Sequence, residues 1–387
     1  MEMAARELIP ALLGAAEPGT RFTAFINREA AAAGGPWGEL LPSVTVPVNA
    51  RNRAQWVLGE QSLLVAQAAR ARVDLVHSLA STAPLWGPFR RVVTIHDLIY
   101  ARFPEAHSGL RDRGMRVLVP AAARRSHRVI AISESTRRDL IALLGLSGER
   151  IDVVPQGVRL PGGGQGVHVG GGEGVRLPGS GQSVRVGGGE GGGGPPESPA
   201  QTRRRLALGE RPVVLSLSAK RPHKNLAALI DALALIEPEM RPVLILPGYP
   251  TWHERELRSR ADAAGVQADV RFPGWITDAE VQALWAIADA FVFPSLYEGF
   301  GLPVLEAMAH GVPVACSDAS SLPEVAGDAA LLFDPRDPSA IAAAIRALLG
   351  DPELAQRLRA AGLARVREFT WQRTAQLTLS SYARALS

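Results

Sequence analysis

Short apolar runs that end in polar residues recur in two groups along the chain and alternate with helical patterns. The first group is ARVDLVHSL (71–79), RRVVTIHDLIY (90–100) and SHRVIAISE (126–134). The second group is RPVVLSLSA (211–219), RPVLILPG (241–248), ADVRFPG (268–274), DAFVFPS (289–295), GVPVACSD (311–318) and AALLFDP (329–335). Buried runs of this length between helices are typical of parallel strands in βαβ units. The pattern predicts an α/β protein with two doubly wound, Rossmann-like domains.

A glycine-rich tandem repeat separates the two groups: GVRLPGGGQGVHVGGGE (157–173) is followed by GVRLPGSGQSVRVGGGE (174–190). Two units without an apolar face cannot stack as a solenoid, whereas glycine-rich chains are flexible linkers. A chain of 387 residues also exceeds the usual size of one core. We expect an N-terminal domain over 1–155, a linker over 156–205 and a C-terminal domain over 206–365.

The composition of the chain excludes several classes of protein. Cys316 is the single cysteine, so an internal disulfide and a CxxC site are excluded and an oxidising compartment is not required. The N-terminal sequence lacks the pattern of a signal peptide, and no apolar run is long enough to span a bilayer. We expect the protein to be cytoplasmic.

The basic excess of the chain is N-terminal. The formal net charge is +4 for the whole chain and +5 for residues 1–155, with a dense run of arginines in RDRGMRVLVPAAARRSHRVI (111–130). A solvated helix face explains such a run, and so does attraction to an anionic membrane at its inner surface or to a phosphorylated acceptor. Nucleic acid is not expected as a partner, because no aromatic residues or binding motif accompany the charge.

SLYEGFGLPVLEAMAHGVP (295–313) places two carboxylates around a glycine-rich turn. The stretch reads as a strand end, a loop and a helix, so the backbone N–H groups at Gly301 and Leu302 would form an anion site at a helix N-terminus. Glu298 and Glu306 would repel a phosphate but suit hydroxyl groups. The arrangement predicts a site for a nucleotide sugar, although helix-capping and surface roles for the two acids remain alternatives.

Lys220 and Lys224 are the only lysines of the chain, and both lie in SAKRPHKNL after a predicted strand. An ammonium group on a flexible stem suits a diphosphate. We therefore expect Lys224 to bind phosphate at the same edge of the second sheet as Glu298.

The run FPGWITDAEVQALWAIADAFVFPSLYEGFGLPVLEAMAHGVPVACSDASSLPEVAGDAALLFDP (272–335), with HKNL and VVTIHDL, resembles the group 1 (family 4) retaining glycosyltransferases of the GT-B fold. The resemblance covers nearly the whole chain except the glycine-rich segment. It implies two facing Rossmann-like domains, and a final helix over 366–387 that crosses back to the N-terminal domain. It also implies hexosyl transfer from a nucleotide sugar, with mannose from GDP-mannose as one option, to a glycan or lipid-linked acceptor in polysaccharide or cell-envelope synthesis.

The resemblance also assigns roles to residues. Glu298 would contact the donor sugar and Glu306 the ribose, while Lys224 and the backbone of Gly299, Phe300, Gly301 and Leu302 would hold sugar and diphosphate. Trp275 and Ile276 would line the base pocket. His96 would meet the donor sugar from the N-terminal domain, with ordinary packing as its alternative role, and Ser133 and Glu134 would lie on the acceptor side, where Ser133 has helix capping as an alternative role. No metal or other cofactor is expected, because lysine, arginine and a helix dipole would stabilise the departing diphosphate.

The chain departs from the family pattern at two places. The family's arginine about five residues before the phosphate lysine is Ala219 here, and Lys220 or Arg221 would have to replace it. The first strand and its glycine-rich loop are missing, because the sequence starts inside the first helical pattern. A non-catalytic nucleotide-sugar-binding protein, disabled by the missing strand, is therefore one alternative to the transferase. A nucleotide-sugar epimerase of the same fold is another.

Overall fold

The structure is a computed structural model that describes residues 2–49, 52–103, 110–161 and 197–387, and these residues form two compact units. Of the described residues, 2–157 and 369–387 belong to the first unit, and 158–161 and 197–368 belong to the second. The tandem repeat lies outside the described residues apart from its first few positions.

A parallel sheet is the centre of the first unit. The strands are β1 (Ala24–Ile26), β2 (Ser43–Thr45), β3 (Leu75–Ser78), β4 (Arg90–Ile95), β5 (Arg128–Ala131) and β6 (Ile151–Val153). The helices are α1 (Glu2–Ala15), α2 (Arg28–Ala33), α3 (Pro36–Glu39), α4 (Arg53–Gln61), α5 (Leu63–Arg70), α6 (Ile99–Arg102), α7 (Leu110–Arg125) and α8 (Glu134–Leu144). Strands β3 to β6 pair in sequence order, and β1 and β2 form a separate parallel pair. No described strand precedes α1.

The second unit has a six-stranded parallel sheet. Its strands are β7 (Val213–Leu215), β8 (Val243–Ile245), β9 (Val270–Arg271), β10 (Ala290–Phe293), β11 (Val314–Ser317) and β12 (Ala330–Phe333). Its helices are α9 (Pro199–Arg205), α10 (Leu226–Ala234), α11 (Trp252–Ala263), α12 (Asp278–Ile287), α13 (Leu302–Ala309), α14 (Leu322–Ala326), α15 (Pro338–Gly350) and α16 (Pro352–Arg365). The strand order is β12-β11-β10-β7-β8-β9. Strands β7, β8, β10 and β11 are buried along their whole length, as strands covered by helices on both faces must be.

All nine strands predicted from the apolar runs are present, and both sheets are parallel. Three further strands, β1, β2 and β6, were not predicted. The linker predicted over 156–205 includes helix α9. Helix α9 belongs to the second unit, where Ser198 and Gln201 form a capping box and Thr202 is fully buried.

The last helix of the chain, α17 (Trp371–Leu386), belongs to the first unit. Leu8 and Leu12 of α1 pack against Ala375 of α17. The hydroxyl of Tyr382 lies 2.7 Å from Nδ1 of His77 on β3. Apolar contacts and a hydrogen bond therefore hold α17 within this unit.

Candidate functional site

The strand order of the second unit reverses between β7 and β10. The chain runs outward from β7 through β8 to β9, then returns to the other side of β7 and continues from β10 through β11 to β12. Ligands of open α/β sheets bind at the carboxyl ends of the strands at such a point. The loop after β7 carries Lys220 and Lys224, and the loop after β10 carries Glu298, so the sheet brings the predicted residues to this position.

Lys224 and Glu298 form an ion pair at the switch point. Nζ of Lys224 donates to Oε1 of Glu298 over 2.6 Å, and the two side chains are 17% and 12% exposed. The loop of Glu298 is held by Ser320, whose Oγ accepts from the Glu298 amide over 2.8 Å, and by Ser321, whose Oγ donates to the Glu298 carbonyl over 3.0 Å. A cation and a carboxylate are thus fixed side by side with one edge open to solvent.

Helix α13 begins directly after this loop without a side-chain cap. Its N-cap residue is Gly301, whose φ of 121° favours glycine, and a Cβ there would lie 2.7 Å from Cδ2 of Leu322. Phe300 is buried, and its carbonyl accepts from Oγ of Ser321 over 2.5 Å. The positive end of the helix dipole at Leu302 is therefore suited to an anion.

Glu306 lies in the second turn of α13, and its side chain is partly buried. Burial raises the pKa of Glu306 above its ordinary value. In the part of the chain that the structure describes, its carboxylate makes neither a hydrogen bond nor an ion pair. A partly buried carboxylate without a partner is unfavourable and is common where a ligand supplies the donors.

Lys220 is fully buried, unlike Lys224. Its Nζ donates to the carbonyl of Gly248 over 2.7 Å and lies 3.3 Å from Oε2 of Glu254, and its own carbonyl accepts from Oγ1 of Thr251 over 2.5 Å. Burial lowers the pKa of Lys220, and Glu254 opposes the shift. Lys220 thus supports the loop after β8, whereas the neighbouring Arg221 is exposed.

The predicted base-pocket residues follow β9. Ile276 is buried, while Trp275 is 61% exposed and stacks on Tyr249 with 4.3 Å between ring centroids. The Gly248 amide donates to the Gly274 carbonyl over 2.8 Å, so the loops after β8 and β9 are joined. The result is an exposed aromatic surface beside a buried aliphatic side chain.

Asn225 was missed as a functional residue by the sequence analysis. It follows Lys224 in the left-handed conformation, with a φ of 57°, which asparagine tolerates better than most residues. Its Nδ2 donates to the carbonyls of Pro294 and Pro335 over 3.1 and 2.6 Å. One side chain therefore joins the loops after β7, β10 and β12, and an asparagine directly after the lysine was the available signal.

The three site residues predicted in the first unit, His96, Ser133 and Glu134, all make contacts within that unit. Nε2 of His96 lies 2.7 Å from the Leu79 carbonyl, so this nitrogen carries the proton, and burial lowers the pKa of the imidazole. Ser133 caps α8, because its Oγ accepts from the Thr136 amide over 2.9 Å. This is the helix-capping role that the sequence analysis gave as the alternative to a role in the site. Glu134 pairs with Arg137 over 2.7 Å.

Glu60 of α4 was also missed. It accepts from Oγ1 of Thr82 over 2.9 Å, and burial raises its pKa to about 7. Thr82 lies in the loop after β3, at the carboxyl edge of the first sheet. Nothing in the local sequence distinguishes this glutamate from an ordinary helix-surface acid.

The described residues contain no group of three or more His, Cys, Asp or Glu side chains that could hold a metal ion. None of the helices among them is long and apolar enough to cross a membrane.

Solved structures share this fold. The sucrose-phosphate synthase of Thermosynechococcus elongatus matches with a TM-score of 0.71 and 21% identity over 98% of this chain and 92% of that one. HepE of Anabaena, solved in complex with UDP and glucose, matches with a TM-score of 0.67 and 20% identity over 99% and 95%. The protein has the GT-B fold of glycosyltransferases.

Sequence comparisons identify the family. The model "Glycosyl transferases group 1" matches residues 199–365, and "Glycosyltransferase Family 4" matches residues 14–160. The O-antigen chain mannosyltransferase B of Escherichia coli is 32% identical over 298 residues, which cover 76% of this chain and 70% of the relative. The mannosyltransferase WbdA of E. coli is 37% identical but is matched over only 22% of its length. The chain belongs to the group 1, family 4 glycosyltransferases.

Proposed function

We propose that the protein transfers a hexosyl group from a nucleoside diphosphate sugar to a hydroxyl group of a glycan or lipid-linked acceptor, with retention of the anomeric configuration. The observation that carries the proposal is the partly buried carboxylate of Glu306, which has no partner within the described residues, near the uncapped start of α13. Ribose hydroxyls would donate to this carboxylate while the diphosphate lies at the helix N-terminus. A nucleotide with a diphosphate satisfies both groups at once.

The Lys224–Glu298 pair supplies the remaining contacts in this proposal. On donor binding, Lys224 turns from Glu298 to the diphosphate, and Glu298 accepts hydrogen bonds from the sugar hydroxyls. The bond between the anomeric carbon and the phosphate oxygen breaks, and the acceptor oxygen bonds to the same face of that carbon. The acceptor proton passes to the departing phosphate oxygen. Lys224 and the helix dipole stabilise the developing charge, so the mechanism requires no metal ion.

The proposed donor is GDP-mannose, and the proposed setting is polysaccharide synthesis. Support for mannose comes from the name of the O-antigen chain mannosyltransferase B, and support for GDP comes from the name of a GDP-mannose-dependent alpha-(1-6)-phosphatidylinositol monomannoside mannosyltransferase of Mycobacterium tuberculosis. The UDP and glucose bound to HepE make UDP-glucose the competing donor. The basic first part of the chain suits an acceptor on an anionic membrane surface, where we place the reaction.

The test is a transfer assay with the purified full chain. GDP-mannose, UDP-glucose and ADP-glucose are each offered with mannosyl acceptors on a lipid-like aglycone, and the product anomer is assigned by NMR. We expect transfer from one donor, an α-linked product, and loss of transfer in Glu298→Ala and Lys224→Ala. The matched control is Arg357→Ala on the exposed side of α16. Undiminished turnover in either site variant would disprove the site, and a β-linked product from an α-linked donor would disprove retention.

The transfer assay, combined with an unfolding measurement in the presence of the nucleotide, separates the alternatives. A binding protein without activity would be stabilised by its nucleotide, by about 2.7 kcal/mol at a hundredfold excess over Kd, yet would form no product. An epimerase would convert the donor at C2 without any acceptor. Either result would overturn the transferase proposal.

A further inference from the structure

An arginine-rich cavity lies at the amino edge of the first unit's sheet. Its volume is about 510 Å³. It is lined by Arg90, Arg124, Arg125, Ser126, His127, Arg150, Arg384, Ala385 and Ser387. Arg90 begins β4, and Ser126 and His127 precede β5. His96 and Ser133 follow the same two strands, so the cavity and these residues lie at opposite edges of the sheet.

Part of this positive charge has a structural use. Arg150 donates to the carbonyls of Arg124 and Ser126 at the end of α7, where the helix dipole favours cations. Arg384 pairs with Asp152 over 2.8 Å. Among the described residues, the guanidinium groups of Arg90 and Arg125 have no such partner, and both are exposed. The positive charges of Arg90 and Arg125 in the cavity are therefore not neutralised within the described part of the chain.

Two further side chains indicate that a ligand belongs here. Ser126 is 1% exposed, and its Oγ has no hydrogen-bond partner among the described residues. A buried hydroxyl without a partner is unfavourable unless a ligand or water satisfies it. The Nδ1 of His127 accepts from the Arg91 amide over 3.0 Å, which leaves Nε2 as its donor. The lining residues include no aspartate or glutamate within the described part of the chain.

We propose that this cavity is a second ligand site, separate from the candidate active site, and that it binds a phosphate- or pyrophosphate-bearing group. Arg90 and Arg125 pair with the phosphate oxygens, since guanidinium groups bind phosphate in a forked geometry. Ser126 and His127 donate from the floor of the cavity. The ligand is either a free phosphorylated metabolite or the headgroup of an anionic lipid, which share this chemistry.

His127 provides a local measurement of binding. Burial lowers the pKa of its imidazole, and Arg91 and Arg90 lower it further. An anion in the cavity raises the pKa of His127, which NMR titration follows once the resonance has been assigned with His127→Gln. This readout excludes pyrophosphate bound in the second unit, because that unit does not contain His127.

The experiment titrates inorganic pyrophosphate into the full chain at low ionic strength. We expect saturable binding that raises the pKa of His127, and an affinity about tenfold or more weaker in Arg90→Ala/Arg125→Ala. The control is Arg357→Ala/Arg367→Ala, which removes the same charge from exposed positions of the second unit. No response of His127 at millimolar pyrophosphate, or equal weakening in the control, would overturn the proposal.

Vesicles identify the source of the ligand. Phosphatidylglycerol vesicles that displace pyrophosphate from His127, while phosphatidylcholine vesicles do not, indicate a lipid headgroup. Pyrophosphate binding that both vesicles leave unchanged indicates a free metabolite. Sedimentation with phosphatidylglycerol, together with no response of His127 to either vesicles or pyrophosphate, would place membrane contact elsewhere and contradict this site.

Discussion

The carboxyl edges of the two sheets carry similar polar side chains but engage them differently. In the first unit, His96 donates to a backbone carbonyl and Ser133 caps a helix. In the second unit, Lys224 and Glu298 form an ion pair with each other alone within the described residues, and Glu306 has no partner there. A polar group that its own fold satisfies needs no ligand. The second edge is therefore the one whose side chains are arranged for a bound molecule.

The two lysines differ in the same way: Lys220 is partnered within the fold, whereas Lys224 lies at the candidate site. The largest expected effect is that of replacing Lys220. We expect Lys220→Met to destabilise the protein by about 3 kcal/mol, because the Gly248 carbonyl loses its donor and Glu254 keeps only the exposed Arg258 as a cationic partner. Urea unfolding measures the change. Arg221→Met is the matched control, since this exposed neighbour should cost less than about 0.5 kcal/mol. Equal stability of the two variants would show that Lys220 is not structural.

Lys224→Ala should lower activity and leave stability nearly unchanged, which is the opposite of the effect expected for Lys220→Met. We expect transfer to fall by about a hundredfold or more, because the cation proposed for the departing diphosphate is lost. The melting temperature should change little, since the pair lies at the edge of the unit. Turnover and thermal unfolding are measured on the same preparation. A variant that loses activity only through unfolding would make Lys224 resemble Lys220.

Glu306→Gln tests whether the unpartnered carboxylate is kept for a ligand. The folded-state pKa is raised, so stability is greatest below the unfolded pKa of about 4.3 and falls as pH rises towards the folded value. Glutamine should therefore raise the melting temperature at pH 7 and leave it unchanged at pH 4. Donor affinity should fall about tenfold, because a charged acceptor is lost. A destabilised variant at pH 7 would mean that the carboxylate has a structural partner.

Ser133→Ala should have the smallest effect. Loss of the cap on α8 should cost about 1 kcal/mol of stability, with donor affinity unchanged. Ser133→Thr, which keeps the hydroxyl, is the control. Denaturant unfolding and nucleotide titration measure the two quantities. A change in donor affinity beyond about threefold would break the distinction between the two edges.

The sequence could predict much of this fold because its evidence is local. Apolar runs between helices indicated nine of the twelve described strands, and polar residues after β7 and β10 indicated the edge where Lys224 and Glu298 lie. The burial of Lys220 could not be predicted, because it depends on Glu254 and on a carbonyl from another loop. The arginine cavity was equally hidden, since Arg90, Arg150 and Arg384 meet only in the folded chain.

The place of α17 has a consequence for synthesis on the ribosome. The second unit ends at Glu368, whereas the first unit takes its last helix from residues 369–387. Domains generally fold as units while the chain emerges. The unit that is translated first is therefore completed last, and until then the sites on β3 and α1 that Tyr382 and Ala375 cover have no partner from α17. A C-terminal fusion that prevents residues 369–387 from packing against α1 and β3 would leave the first unit without its last helix, although the second unit is already complete.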